Sequence, residues 1–150
     1  MKLRNIVLSI GIVLWLQGCC AMQRAEPAYP TEVVGWRDYK IGTTSLRGNF
    51  VLRKGEATDN GKLQIKAVDL MAPECTGDAG NYAERARVRF EFTRLSDRKL
   101  LCSETFPENG GRSLFGLCPD IPKEFNILDV SVQAINLKDG WVFFFLTAGS

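Results

Sequence analysis

Five cysteines, a complete lack of histidine and one glycine-rich loop bound the chemistry this chain could do. Without histidine it has neither the usual general base nor the commonest metal ligand. No G-x-S-x-G, H-E-x-x-H, P-loop or C-x-x-C pattern occurs. Cys19 and Cys20 are adjacent, with no spacer, so they cannot work as a thioredoxin-like pair. Paired carboxylates could hydrolyse a glycoside, but the Asp and Glu residues fall mostly on turns and outward strand positions, and no pair stands out. The stretch C-T-G-D-A-G-N-Y-A-E carries Asp78, Asn81 and Glu84, hard oxygen ligands of the kind Ca²⁺ takes. Its spacing is not that of an EF-hand, and the same residue types build ordinary turns. The expectation is a chain with no catalytic residue, no metal and no cofactor.

The amino terminus speaks about place. Lys2 and Arg4 form a basic head, and residues 6–16 are apolar apart from Ser9 and Gly11. That is the layout of an export signal, shorter than the roughly 20 apolar residues that span a bilayer. It ends in Leu16-Gln17-Gly18-Cys19, which resembles the bacterial lipobox: an apolar residue, two tolerant positions and a cysteine. Gln17 is a less usual choice at its position. The resemblance covers residues 1–19. It implies that Cys19 receives a diacylglyceryl group and becomes the first residue of the mature chain. By the same resemblance, Cys20, a non-aspartate in second place, implies the outer membrane facing the periplasm in a cell that has one. The alternative is cleavage after Ala21 and a soluble exported domain.

Processing changes the charge. The chain carries 19 basic and 17 acidic residues, a formal +2. Lys2 and Arg4 leave with the signal, so the mature chain is formally neutral. A nucleic-acid binder usually shows a basic excess, and none is expected here. Residues 1–18 are thus read as signal peptide. Residues 19–33, polar and containing Pro27 and Pro30, are read as a flexible tether. Residues 34–150 are read as one domain, long enough for its own core.

Within that domain strand signals alternate with turn signals. Asn60-Gly61 is a strong hairpin turn. Val88, Phe90 and Phe92 alternate with Arg87, Arg89 and Glu91. Seven or eight short strands follow from the spacing, which predicts an all-β, antiparallel β-sandwich of immunoglobulin-like arrangement, with a small β-barrel as the alternative.

Two surface features invite a functional reading. Arg85, Arg87 and Arg89 share one strand face, where Glu84, Glu91 and Glu104 are available as counter-charges. A solvated, partly neutralised face is expected. The segment W-V-F-F-F-L is apolar at every position. A two-residue turn at Asp139-Gly140 would place Trp141, Phe143 and Phe145 with Ala134, Val132 and Val130, as the core side. Ile135, Leu137, Val142, Phe144 and Leu146 would then form a second apolar side, either covered from within the chain or a docking surface for a protein partner.

Export places the three domain cysteines in an oxidising compartment, so one disulfide is expected, involving Cys118. Cys75 to Cys118 is preferred, because both lie near prolines in loops; Cys102 to Cys118 closes a shorter loop. Together these readings describe a membrane-anchored lipoprotein whose β-domain binds rather than catalyses. An accessory role in an envelope or secretion assembly fits by fold-level analogy. The alternative is a glycan- or lipid-binding module, and an enzyme is the least favoured class.

Overall fold

The computed structural model describes residues 25–36, 46–74, 85–125 and 127–148. Cys19, Cys20, Cys75 and the Asp78–Asn81–Glu84 loop lie outside the described residues, as does the whole of the signal. Eight strands run in chain order: β1 (Leu46–Arg53), β2 (Ala57–Asp59), β3 (Leu63–Met71), β4 (Arg87–Arg94), β5 (Lys99–Pro107), β6 (Gly110–Ser113), β7 (Ile127–Asn136) and β8 (Trp141–Ala148). A one-turn helix, α1 (Leu114–Leu117), and a 3-10 turn at Lys123–Phe125 join β6 to β7. The strands form two antiparallel four-stranded sheets, ordered β1-β8-β7-β6 and β2-β3-β4-β5.

This is the expected β-sandwich, but its wiring is not the immunoglobulin one. Every pair of hydrogen-bonded neighbours is consecutive in sequence except β1 and β8. An immunoglobulin sandwich instead draws sheet neighbours from distant strands through Greek-key connections. Here tight local turns favour a meander. Asn60 Oδ1 accepts from the backbone N–H groups of Lys62 and Leu63, at 3.0 and 2.8 Å. Gly61 takes φ +84°, a left-handed value that side chains disfavour. Between β4 and β5, Arg94 grips Asp97 through two bonds of 2.9 and 2.6 Å.

Alternation builds the core. On β4, Val88, Phe90 and Phe92 are fully buried, while Arg87, Arg89 and Glu91 point away. Leu63, Ile65 and Ala67 do the same on β3, and Phe50 and Leu52 on β1. Phe144 joins the two sheets: its ring lies 4.8 Å from Phe90 and 5.5 Å from Phe50.

The last hairpin corrects the sequence reading. Asn136 pairs with Trp141, so residues 137–140 form a four-residue loop rather than a two-residue turn. Asn136 braces that loop, accepting from the Asp139 N–H at 2.8 Å and donating to the Asp139 carboxylate at 3.1 Å. Gly140 takes φ +69°. Ile135, Val142, Phe144 and Leu146 do share one side, but it is the core side, and all four are buried. They are not a docking surface. Leu137, the fifth member of that set, lies in the loop and is exposed. A bulge between Val132 and Ala134 shifts the alternation of β7, bringing Val130 and Val132 onto the core side with Ile135. Trp141, Phe143 and Phe145 therefore face outward.

The disulfide joins Cys102 to Cys118, with Cα atoms 5.6 Å apart. Cys118 is the participant expected, and Cys75 is not its partner. Cys102 lies on β5 and Cys118 just after α1, so the bridge ties an edge of one sheet to the helical turn following the other.

Candidate functional site

The segment before β1 is not free along its described part. Lys138 and Glu26 form an ion pair at 3.8 Å. Tyr29 packs edge-on against Trp141, with ring centroids 5.5 Å apart. Further on, the Val34 N–H donates to the Asn49 carbonyl on the free edge of β1, at 2.8 Å. Trp36 then enters the core beside Phe50. The expected tether over 19–33 therefore does not extend to residue 33: from Glu26 the chain is laid against the domain. Prolines 27 and 30 suit such an extended strap, since their fixed φ favours open backbone.

The strap makes a groove of about 380 Å³ with the β7–β8 end of the sheet, lined by Glu26, Tyr29, Arg53, Asn136, Asp139 and Trp141. Trp141 points outward from β8 yet is only 1 % exposed, and it stands outside the main core cluster. Tyr29 above it is 56 % exposed. Arg53 donates from Nη1 to the Asp139 carbonyl at 3.0 Å. The polar groups of the groove thus hold one another, with an aromatic floor between them. Such a site can grip a ligand through ring stacking and hydrogen bonds.

Next to the groove the outer side of β8 continues as Phe143 and Phe145, both partly exposed. Across the ladder Phe143 faces Val51 and Ala134, and Phe145 faces Asn49 and Ser131. Tyr29, Val33 and Val34 are among the largest exposed apolar side chains of the described residues.

The other sheet presents charge. Arg89 stands opposite Asp69 in the β3–β4 ladder and is exposed. Asp69 accepts from Lys54 at 2.6 Å, and that bond lowers its pKa from the usual carboxylate value, with Arg89 adding to the shift. Arg87 pairs with Glu74. The row of arginines is partly neutralised, as expected, though Asp69 and Glu74 do this rather than Glu104. Glu104 lies on the opposite, inward side of β5, in one row with Cys102 and Phe106. At the turn below, the Arg94 guanidinium holds the Asp97 carboxyl down to about 2.

One cluster had no counterpart in the sequence reading. The ligand atoms of Cys102, Glu104 and Cys118 lie within 4.8 Å of one another. The i, i+2 spacing of Cys102 and Glu104 on β5 could have signalled it. Cys102–Cys118 is the alternative disulfide of the sequence, but the closeness of Glu104 to both sulfur atoms needs the fold.

No protein-family model matches this chain, and neither a curated protein nor a solved structure matches it.

Proposed function

We propose that this chain is a non-catalytic binding domain, anchored to an envelope membrane through an acylated Cys19, that offers the outer side of the β1-β8-β7-β6 sheet to a protein partner. The contrast between the two outer faces carries this reading. One is charged, with arginines set against carboxylates. The other shows Phe143 and Phe145 beside Val51, flanked by Tyr29, Val33 and Val34. Aromatic surface of this kind is enriched where proteins meet. Placement in the outer membrane, facing the periplasm, rests on Leu16-Gln17-Gly18-Cys19. An accessory part in an envelope or secretion assembly is the role that fits. Glu26 lies seven positions after Cys19, a reach of at most about 25 Å at ~3.5 Å per residue. An acylated Cys19 would therefore hold the strap-covered face close to the membrane.

Two measurements test the reading. Mass spectrometry of the mature amino terminus should find a lipid-modified Cys19; an unmodified chain beginning at Met22 overturns the anchor. A photo-crosslinker placed at Phe145 in intact cells should give discrete protein adducts, and one placed at Arg89 should not. Equal labelling at both positions, or none at Phe145, overturns the partner face. Glycan binding is the second reading, favoured by Tyr29 standing over the groove beside Arg53 and Asp139. Titration with envelope oligosaccharides, followed by the fluorescence of Trp141, would detect it.

A further inference from the structure

We propose that reduction of the Cys102–Cys118 bridge converts it into a zinc site with Glu104 as the third protein ligand. Cys102 and Glu104 sit two residues apart on the inward side of β5, opposite Phe92 and Phe90 of β4. Cys118 approaches from the end of α1 and is only 2 % exposed. The three ligand atoms already lie within 4.8 Å of one another. Tetrahedral zinc needs two sulfur atoms about 3.8 Å apart, each about 2.3 Å from the metal, and a carboxylate oxygen at about 2.1 Å. With the Cα atoms 5.6 Å apart, rotation of the side chains provides that opening.

Glu104 supplies the second observation. Among the described residues it has no hydrogen-bond or ion-pair partner, although it is half-buried and on the core side of an edge strand. An inward charge on an edge strand discourages pairing with other chains, but that role does not require a position beside two sulfur atoms. Cation binding gives both the position and the charge a purpose.

A dithiol reductant attacks the bridge and delivers two electrons and two protons. It leaves as its own disulfide, and Cys102 and Cys118 become thiols. Zn²⁺ then binds the two sulfur atoms as thiolates and releases two protons to solvent. The Glu104 carboxylate and one water complete four-coordination, with two thiolates and one carboxylate as the protein set. The same two positions, β5 and the end of α1, stay tied together in both states. Oxidation holds them by a covalent bond and reduction holds them through the metal. The site is independent of the anchor and of the partner face.

The test uses the purified full chain, reduced anaerobically with a dithiol that is then removed, and titrated with Co²⁺ as a spectroscopic stand-in for zinc. The expected result is one Co²⁺ per chain, with a thiolate-to-metal charge-transfer band and the visible bands of tetrahedral cobalt. The oxidised chain should give neither. Glu104→Gln leaves the bridge intact. It should weaken binding by about tenfold or more, since even outer partners of metal ligands are worth 10–100-fold. Cys75→Ala, and separately Cys19→Ala with Cys20→Ala, should leave the bands unchanged, which separates this site from the three remaining thiols, and Cys118→Ala should abolish them. The proposal is overturned if the reduced, folded chain shows no thiolate band, if Glu104→Gln binds as tightly as the parent, or if the band disappears with Cys75→Ala. A reduced chain that unfolds and does not regain its circular dichroism on adding metal overturns it as well.

Discussion

Replacing Phe144 by alanine tests which side of β8 holds the molecule together. The ring is 0 % exposed and lies against Phe90 of one sheet and Phe50 of the other. Removing it forfeits the transfer of a fully buried phenyl group and leaves a cavity between two sheets that cannot both collapse onto it. Phe→Ala changes of this kind cost 3–5 kcal/mol, and two aromatic contacts add roughly 0.5–1.5 kcal/mol each. About 4 kcal/mol is expected, which lowers Tm by about 10–20 °C in a domain of this size. Phe145→Ala, one residue along, removes a partly exposed ring from the outer side and should cost about 1 kcal/mol. Urea unfolding of the oxidised chains, followed by far-ultraviolet circular dichroism, gives both numbers, with m unchanged if the native states are alike. If Phe145→Ala proves as costly as Phe144→Ala, or if Phe144→Ala costs less than about 1 kcal/mol, the assignment of faces is wrong.

Three further outcomes are expected. Non-reducing peptide mapping should recover Cys102 linked to Cys118, and Cys102→Ala should lose about 3 kcal/mol, the chain-entropy value for a separation of 16 residues; a Cys75–Cys118 peptide would refute the pairing. Tyr29→Ala should uncover Trp141, raising the quenching of indole fluorescence by acrylamide and lowering stability by roughly 1 kcal/mol; unchanged quenching would mean that the strap does not cover that ring. Asp97 has a folded-state pKa depressed to about 2 by Arg94. Its contribution to stability is present above the ordinary carboxylate value and is lost as pH falls from about 4 through about 2. The Asp97 carboxyl carbon should titrate near 2 by NMR and return toward the usual range in Arg94→Gln.

How much of this architecture is legible in the sequence depends on how local the information is. The β4 alternation, the Asn60-Gly61 turn and the existence of paired sheets need only neighbouring residues, and they agree with the structure. The orientation of β8 is different. Its residues are apolar on both sides, so its own pattern cannot choose a face. Its neighbours choose instead. On β1, Asn49 and Arg53 pair with Phe145 and Trp141, while Phe50 and Leu52 pair with Phe144 and Val142. On β7, Ser131 and Asn136 pair with Phe145 and Trp141. Polar groups on both flanks of Trp141 and Phe145 send that side outward, and Phe143, between Val51 and Ala134, shares the side by alternation. That conclusion requires knowing that β1, at the other end of the chain, is a neighbour at all. It also requires the bulge between Val132 and Ala134, without which Val130 and Val132 would face the other way.

The strap shows a second way in which local composition misleads. A stretch with two prolines and few apolar residues has little drive to fold by itself, which is why it reads as a tether. Yet a single ring is enough to seat it when a matching surface exists. Trp141 is outward-facing and needs a cover. Tyr29 provides one, and the ion pair of Glu26 with Lys138 joins the strap to the same loop that Asn136 braces. The bond from Val34 to Asn49 then occupies part of the open edge of β1, where an unpaired strand would otherwise invite another chain. The segment thus has three structural tasks, each set by a partner more than 10 residues away in sequence. None of the three could be seen from residues 19–33 alone. It follows that the outer aromatic face and the strap act as one unit: whatever displaces Tyr29 from Trp141 enlarges the surface available to a partner.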